Sequence, residues 1–177
     1  MRRMRFTIFL RASVIACALI AQCAFAEASA IPAPETESGV LGYRDDVQQI
    51  IDRARELIGI RYRRSGDRPQ TGFDCSGFVG YVFREGVGLI LPRASREISR
   101  TGTPVSRHEL KAGDLVFFNT MRHTFSHVGI YLGNHLFIHA PRTGEAVRID
   151  DLQGRYWVKR YSGARRMSES VEFSTPQ

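Results

Sequence analysis

A single cysteine stands out as the residue that could carry covalent chemistry in this chain. Cys75 lies in the segment FDCSGF, residues 73–78, and it is the only cysteine after residue 26. An unpaired thiol in an oxidising compartment can cross-link or become oxidised, so its presence there favours a catalytic nucleophile. The alternative interpretation is a buried cysteine that packs as a small apolar side chain.

Two histidines could supply the base that such a thiol needs. His127 begins one predicted strand and His139 ends the next, and Gly133-Asn134 between them predicts a hairpin that brings these ends together. Side chains alternate along a strand, so a three-residue loop, residues 132–134, would place His127 directly opposite His139. A regular two-residue turn would instead point the two rings to opposite faces, unless a bulge intervened.

The other three histidines, His108, His123 and His135, lie in polar turn or loop contexts and are expected to be exposed. Zinc is the rival to nucleophilic chemistry, because one cysteine and two histidines are a permissible ligand set for a catalytic metal. No C-x-x-C pair is present, and the cysteine stands beside an acid at a predicted helix start. The sequence therefore favours a site without a metal.

The elements around the cysteine are predicted to be helical. Apolar residues recur at three- and four-residue steps over residues 45–58, which predicts a helix that Gly59 would end. The same spacing after Cys75 predicts a second helix, whose N-terminal amides would stabilise a thiolate and lower the thiol pKa. Ser106 and Glu109 have the spacing of a capping box that opens one helical turn.

Strand signals dominate the second half of the chain. They occur at residues 114–118, 128–132, 136–138, 147–149 and 157–161. Helices followed by an antiparallel meander predict an α+β domain whose N-terminal helices pack on one side of the sheet.

The motifs and their order resemble the NlpC-type family of papain-like cysteine peptidases, which cut peptidoglycan stem peptides. The resemblance rests on DCSGFV, GDLVFF, HVGIYLG and FIHA, and it covers about residues 45–166. It implies a papain-like fold with Cys75 as the nucleophile, His127 as the general base and acid, and His139 as the residue that orients His127.

The same resemblance assigns three residues to the substrate site. Tyr62 corresponds to a family tyrosine whose hydroxyl lines the oxyanion site together with the backbone amide of the nucleophile. Asp74 and Ser76 line the family's cleft and would contact charged ends of the stem peptide, although a capping role is equally open. Departures from the family pattern at Arg64 and Ile98 are expected near the substrate groove and leave the scissile bond undetermined.

The chain divides into four predicted segments. They are a signal peptide at residues 1–26, a flexible leader at 27–42, the peptidase domain at 43–166 and a disordered tail at 167–177. Residues 1–26 combine early arginines, an apolar run and a final Ala24-Phe25-Ala26, which is typical of an export signal. Periplasmic localisation is therefore expected. The alternative is an outer-membrane lipoprotein, with membrane attachment only if a cysteine of the signal is lipidated.

Charge argues against nucleic acid as a partner. The formal charge of the whole chain is +7, and it falls to +3 without the four arginines of residues 1–26. The mature chain thus lacks the strongly basic balance of nucleic-acid-binding domains.

These features predict an exported cysteine peptidase that hydrolyses peptide bonds in peptidoglycan stem peptides or cross-links through an acyl-enzyme. No cofactor is expected. We expect a monomer that is restrained by a cell-wall adaptor or regulatory protein.

Two alternatives are a catalytically silent peptidoglycan-binding module and a thiol amidase or acyltransferase acting on a non-peptide substrate. The binding module is disfavoured because a protein that only binds has no use for a reactive thiol. The amidase or acyltransferase would be distinguished from a peptidase by the identity of its products.

Overall fold

The computed structural model describes residues 37–120 and 123–167, and the structural statements below refer to those residues. The α-helices are α1 (Glu37–Glu56), α2 (Cys75–Val87), α3 (Ser95–Ile98) and α4 (Arg155–Val158), and a 3-10 turn spans Arg107–Glu109. The strands are β1 (Asp67–Arg68), β2 (Gly72–Phe73), β3 (Thr103–Val105), β4 (Leu115–Phe118), β5 (His127–Gly133), β6 (Leu136–His139), β7 (Arg148–Asp151) and β8 (Tyr161–Arg166). No helix in the two described ranges is long and apolar enough to span a membrane.

The strands from β3 onwards form one antiparallel sheet in the order β3-β8-β4-β5-β6-β7, and β1 pairs with β2 in a separate hairpin. The predicted α+β fold is confirmed, and β4 to β7 are the predicted meander. The sheet extends beyond the meander because β8 returns to pair with β4, and β3 pairs with β8. The sequence did not predict β3, which is short and contains Pro104, a residue tolerated at a sheet edge.

The two long helices pack on one face of the sheet, as predicted. Their apolar residues meet β4, β5 and β6 in a core that includes Ile50, Ala54, Leu57, Phe78, Val82, Phe117, Val128, Ile130 and Ile138. Burial of one large apolar side chain contributes about 1.5–3 kcal/mol. This core therefore holds the start of α2 against the sheet.

A smaller apolar layer covers the opposite face of the sheet. It contains Val116, Phe118, Tyr131, Phe137, Leu152, Trp157 and Ala164. β4 is buried on both faces, which explains its uninterrupted LVFF sequence. The short helix α4 belongs to this second face.

The first helix is longer than its apolar stripe predicted. α1 begins at Glu37 rather than near residue 45, so residues 37–42, predicted as part of a flexible leader, are helical. Extending a helix adds one hydrogen bond for each residue that becomes fixed, so a helix can run past its apolar stripe. Residues 27–36 of that leader and the predicted signal peptide lie outside the described residues.

The C-terminal boundary of the domain also differs from the prediction. Met167 was assigned to a disordered tail, but it is buried in the core. Its sulfur accepts a hydrogen bond from the Thr101 hydroxyl at 3.6 Å. The remainder of the predicted tail, residues 168–177, lies outside the described residues.

Two local predictions were wrong in detail. Residues 157–161 were predicted as a strand, yet Trp157 lies on α4, where its backbone N–H donates to the Gly154 carbonyl at 2.9 Å. The single helical turn predicted after Ser106 is present as the 3-10 turn, but the Ser106 hydroxyl does not cap it. There the Ser106 hydroxyl donates to the Glu109 carboxylate at 2.6 Å instead of accepting from the backbone.

Candidate active site

Cys75 is the first residue of α2, as predicted. Asp74 is the N-cap, and its Oδ1 accepts the Gly77 backbone N–H at 2.7 Å. A Cβ atom at Gly77 would lie 2.0 Å from the Gly66 carbonyl oxygen, so only glycine allows the first turn of α2 to pack on this loop. The DCSG sequence therefore specifies both the cap and the close approach that position the thiol.

The thiol of Cys75 is neutral at rest, contrary to the expectation of a lowered pKa. Burial raises its pKa to about 11, and the neighbouring Asp74 carboxylate adds to that rise. The backbone N–H groups of Val128 and of the α2 N-terminus act in the opposite direction but do not compensate for burial. The sequence identified the helix N-terminus, but it could not reveal the extent of burial.

The hairpin that carries the two histidines has a different turn from either predicted form. Asn134 and His135 are the turn residues, with φ of 49° and 64°, the positive values that a tight type I′ hairpin requires. The pairing register shifts between Tyr131 and Gly133, which makes Leu132 a bulge. This extra residue offsets the even length of the turn, so both histidines face the same side of the sheet.

The two imidazole rings are in direct contact, as predicted. His127 Nε2 and His139 Nδ1 are 2.8 Å apart, and the ring planes are nearly perpendicular. Direct opposition of the two residues was wrong, because Ile130 pairs with Ile138 and this register makes His127 a diagonal neighbour of His139. Gly129 stands opposite His139, and a Cβ there would lie 3.1 Å from the His139 Cβ.

Both histidines are buried under Trp157. His127 is 3% exposed and His139 is fully buried, while the indole stacks on the first ring and meets the second edge-on. Burial lowers the pKa of both imidazoles, to well below the ordinary value in the case of His127, whose pKa is lowered further by His139. Both rings are therefore neutral near pH 7.

A carboxylate that the sequence analysis did not identify completes this cluster. His139 Nε2 and Asp150 Oδ2 are 3.0 Å apart, and the Trp157 indole N–H donates to the same oxygen at 3.1 Å. Along β7 the charged residues Arg148 and Asp150 are half-buried whereas Ile149 is exposed. From residue types alone Ile149 would be expected to face the interior, so the sequence of β7 carried no signal for Asp150.

Cys75 and His127 line one cleft together with Tyr62. The cleft has a volume of about 510 Å³, and its lining also includes Arg142 and Tyr156. Burial and the proximity of Cys75 raise the pKa of the Tyr62 phenol, so this residue is a hydroxyl donor at neutral pH. The cleft thus combines a thiol, an imidazole and a hydroxyl, the groups needed for nucleophilic attack on a carbonyl.

Asp74 and Ser76 do not line this cleft. Arg93 donates to both carboxylate oxygens of Asp74, at 3.0 and 2.7 Å, and to the Ser76 hydroxyl at 2.9 Å. Their polar groups are thus engaged within the fold. Of the two departures from the family pattern, Arg64 is exposed, and Ile98 is fully buried in the core rather than near the groove.

The geometry does not favour zinc. Both nitrogens of His139 are engaged in hydrogen bonds, with His127 and Asp150, so neither has a lone pair directed at a metal. In the described ranges no group of three potential ligand residues is arranged to hold a metal ion. His108, His123 and His135 are exposed, as predicted.

A helix-borne cysteine beside a histidine on an antiparallel sheet places the molecule in the papain-like class of cysteine hydrolases. Within that class, the sequence profile described as the NlpC/P60 family matches residues 59–166, and the chain belongs to this family.

Known relatives share the domain at substantial identity. The chain is 44% identical over 142 residues to "Murein DD-endopeptidase MepS/Murein LD-carboxypeptidase" of Escherichia coli K12, covering 80% of this chain and 74% of the relative. It is 46% identical over 120 residues to "Murein DD-endopeptidase MepH" of the same organism, covering 66% of this chain and 44% of the relative. A crystal structure of an NlpC/P60 family protein from Bacillus cereus ATCC 10987 superimposes with a TM-score of 0.64 at 34% identity, covering 68% and 39% of the two chains. The chain thus spans less than half of two of these three relatives.

Proposed function

We propose that this protein is an exported cysteine peptidase that hydrolyses peptide bonds in peptidoglycan. The observation that carries the proposal is the shared cleft of Cys75, His127 and Tyr62, with His127 held by His139 at 2.8 Å. The names of the two E. coli relatives, both murein DD-endopeptidases, support peptidoglycan as the substrate.

The reaction begins from a neutral pair because burial keeps the Cys75 thiol protonated and the His127 imidazole uncharged. As the sulfur attacks the peptide carbonyl, His127 Nδ1 takes the thiol proton and a C–S bond forms. His127 Nε2 is engaged with His139, which leaves Nδ1 as the nitrogen that exchanges protons with the substrate.

The tetrahedral intermediate carries a negative charge on the former carbonyl oxygen. The backbone N–H of Cys75 and the hydroxyl of Tyr62 are the donors proposed to stabilise this oxyanion. The amide is the first peptide group of α2, where N–H groups have no partner within the helix. The raised pKa of Tyr62 keeps its proton available for donation.

Collapse of the intermediate breaks the C–N bond, and the His127 imidazolium transfers its proton to the leaving amine. The acyl group remains on Cys75 as a thioester. His127 then removes a proton from water, the resulting hydroxide attacks the thioester, and the thiol is regenerated. These steps balance without a cofactor.

The names of MepS and MepH favour a D-alanine to diaminopimelate cross-link as the scissile bond. A second candidate is a bond to D-glutamate, such as that between D-glutamate and diaminopimelate. It is favoured by 41% identity over 118 residues to "Gamma-DL-glutamyl hydrolase" of Bacillus subtilis, although the chain covers only 28% of that protein.

The proposed location is the periplasm, reached through the export signal at residues 1–26. The proposed active form is a monomer that a cell-wall adaptor or regulatory protein restrains. Full lytic activity of the purified protein, without a partner, would argue against such restraint.

Mass spectrometry of purified muropeptides tests the function. Cross-linked and monomeric muropeptides are incubated with the protein, with its Cys75→Ala variant, and with the protein plus a strong chelator. We expect new products whose masses identify the bond, a loss of at least about a thousandfold in rate with the variant, and full activity with the chelator.

The two alternatives give different results in this experiment. A peptidoglycan-binding module would leave all muropeptides intact while the protein and its Cys75→Ala variant still bound peptidoglycan. A thiol amidase or acyltransferase would leave every peptide bond intact and transfer or release a non-peptide group. Loss of activity in the chelator arm would favour a zinc site.

A further inference from the structure

Within residues 37–120 and 123–167, the hydrogen-bond partners of the Asp150 carboxylate are all donors. Its carboxylate accepts from Arg148 Nε at 2.9 Å and from the Trp157 indole N–H at 3.1 Å, in addition to the contact with His139 Nε2 at 3.0 Å. Burial alone would raise its pKa, but the bonds from His139 and Arg148 hold the pKa far below the ordinary value. Asp150 is therefore ionised, and an ionised carboxylate can only accept hydrogen bonds.

This acceptor determines where the proton of His139 lies. Nε2 faces the carboxylate and must carry the ring proton, so in a neutral ring Nδ1 has the lone pair. That lone pair meets His127 Nε2 at 2.8 Å, which requires the proton of His127 to be on Nε2. His127 Nδ1 consequently has a lone pair, as a base for Cys75 needs.

Solvent does not contact the His139 ring. His139 is fully buried, and Trp157 covers both imidazoles. Without an acceptor at Nε2, the alternative tautomer, with the proton on His139 Nδ1, would turn Nε2 of His127 into an acceptor. His127 Nδ1 would then carry a proton and could not receive one from the thiol.

We propose that Asp150 is a positioning residue that fixes the tautomer of both histidines and so keeps His127 Nδ1 ready to accept the Cys75 proton. The catalytic consequence rests on the proposed function, whereas the tautomer assignment does not.

Nuclear magnetic resonance of the imidazole ¹⁵N nuclei in the unsubstituted protein tests the assignment directly. Protonated and unprotonated ring nitrogens have distinct chemical shifts. At pH 7 we expect both His127 and His139 to carry their proton on Nε2 alone. A proton on Nδ1 of either ring would overturn the proposal, and this measurement requires no substitution that could unfold the protein.

Asp150→Asn is the informative variant because it retains the shape and removes the charge. With its NH₂ towards Arg148 Nε the new amide still presents its oxygen to His139 Nε2, whereas with its NH₂ in the place of Oδ2 it faces both Trp157 and His139. Only the second orientation removes the acceptor, so both tautomers should be populated. Asp151→Asn is the matched control: its side chain is exposed, and its Oδ1 accepts the Gln153 backbone N–H, which an asparagine can also do.

We expect Asp150→Asn to show a mixture of histidine tautomers and a fall in kcat of about 10- to 100-fold with little change in KM. Asp150 raises the pKa of both imidazoles and Arg148 lowers it, while Glu145 raises the pKa of His139 and His139 lowers that of His127. Removing the carboxylate therefore lowers the histidine pKa values and moves the acid limb of the kcat/KM profile to lower pH. Asp151→Asn should match the wild type in all three readouts.

A merely structural role would lower the melting temperature of Asp150→Asn without altering the tautomers or the acid limb, and that result would overturn the proposal. If the unsubstituted protein hydrolyses no muropeptide, the proposed function fails on its own, and the tautomer measurement still decides the role of Asp150.

Discussion

The two halves of the site are built in different ways. The half that carries Cys75 is local, because the N-cap, the nucleophile and the glycine that permits close packing all lie within one turn of α2. The half that carries the histidines is assembled from β5, β6, β7 and α4, and the contacts of His127 with His139, of His139 with Asp150 and of Trp157 with Asp150 each join different elements.

This difference determines how well each half of the site tolerates the substitution or displacement of a residue. An N-cap is a local device whose loss costs about 1 kcal/mol and leaves the rest of a fold in place. A buried polar chain has no such tolerance, since a displaced member leaves its neighbours unpaired in a medium of low dielectric constant. The nucleophile can therefore be adjusted locally, whereas the base is fixed by the packing of the whole sheet.

The protonation states of Cys75 and His127 give the most sensitive test of how the two halves of the site interact. The Cys75 pKa is about 11 and His127 is neutral, so the alkylation rate of Cys75 by iodoacetamide should follow its small thiolate fraction. We expect a rise of about tenfold per pH unit between pH 7 and pH 10, or about a thousandfold in total. Peptide mass spectrometry at Cys75 measures the rate, and circular dichroism checks that the fold is retained.

A small-molecule thiol treated in parallel is the control, since its rate should level off near its ordinary pKa of about 8.5. A Cys75 rate that is high and constant between pH 5 and pH 8 would contradict the neutral pair. It would mean instead that a thiolate and an imidazolium exist at rest.

The packing of the half that carries the histidines can be disturbed at Gly129 without removing a functional group. A Cβ there would lie 2.8 Å from Phe137 Cδ2 and 2.9 Å from the Ile138 carbonyl oxygen, so Gly129→Ala forces β5 and β6 apart. We expect a loss of about 1–3 kcal/mol in the free energy of unfolding and a lower kcat, since His139 must move. Urea unfolding and muropeptide kinetics measure both. Wild-type values in both would show that this half is more adaptable than its packing suggests.

The contrast between a local Cys75 half and a histidine half assembled from several elements also explains which features could be predicted from the sequence. Helix spacing, the DCSG motif and the strand propensities are local, and they led to α2, the Cys75 position and most of the meander. The shared face of His127 and His139 was anticipated, but through the wrong loop, because a bulge at Leu132 cannot be read from residue types.

Other features depended on long-range packing. Asp150 reaches His139 only through the pairing of β6 with β7, and Trp157 covers both rings only because α4 folds onto the second face of the sheet. The direction of the Cys75 pKa shift was wrong for the same reason, since burial is a property of the assembled fold.

A glycine in the half that carries Cys75 allows the same kind of substitution as Gly129, with the opposite expected effect on stability. Gly80 lies inside α2, where a Cβ would meet nothing within 4 Å, apart from the glycine's chain neighbours and the backbone of its own helix. Gly80→Ala should therefore stabilise the protein by about 0.5–1 kcal/mol, because alanine loses less backbone entropy in a helix. Thermal unfolding should show a rise of about 3 °C in melting temperature with kcat unchanged. A destabilised Gly80→Ala variant would mean that the packing around α2 is as strict as that of the sheet, and the contrast between the two halves would not hold.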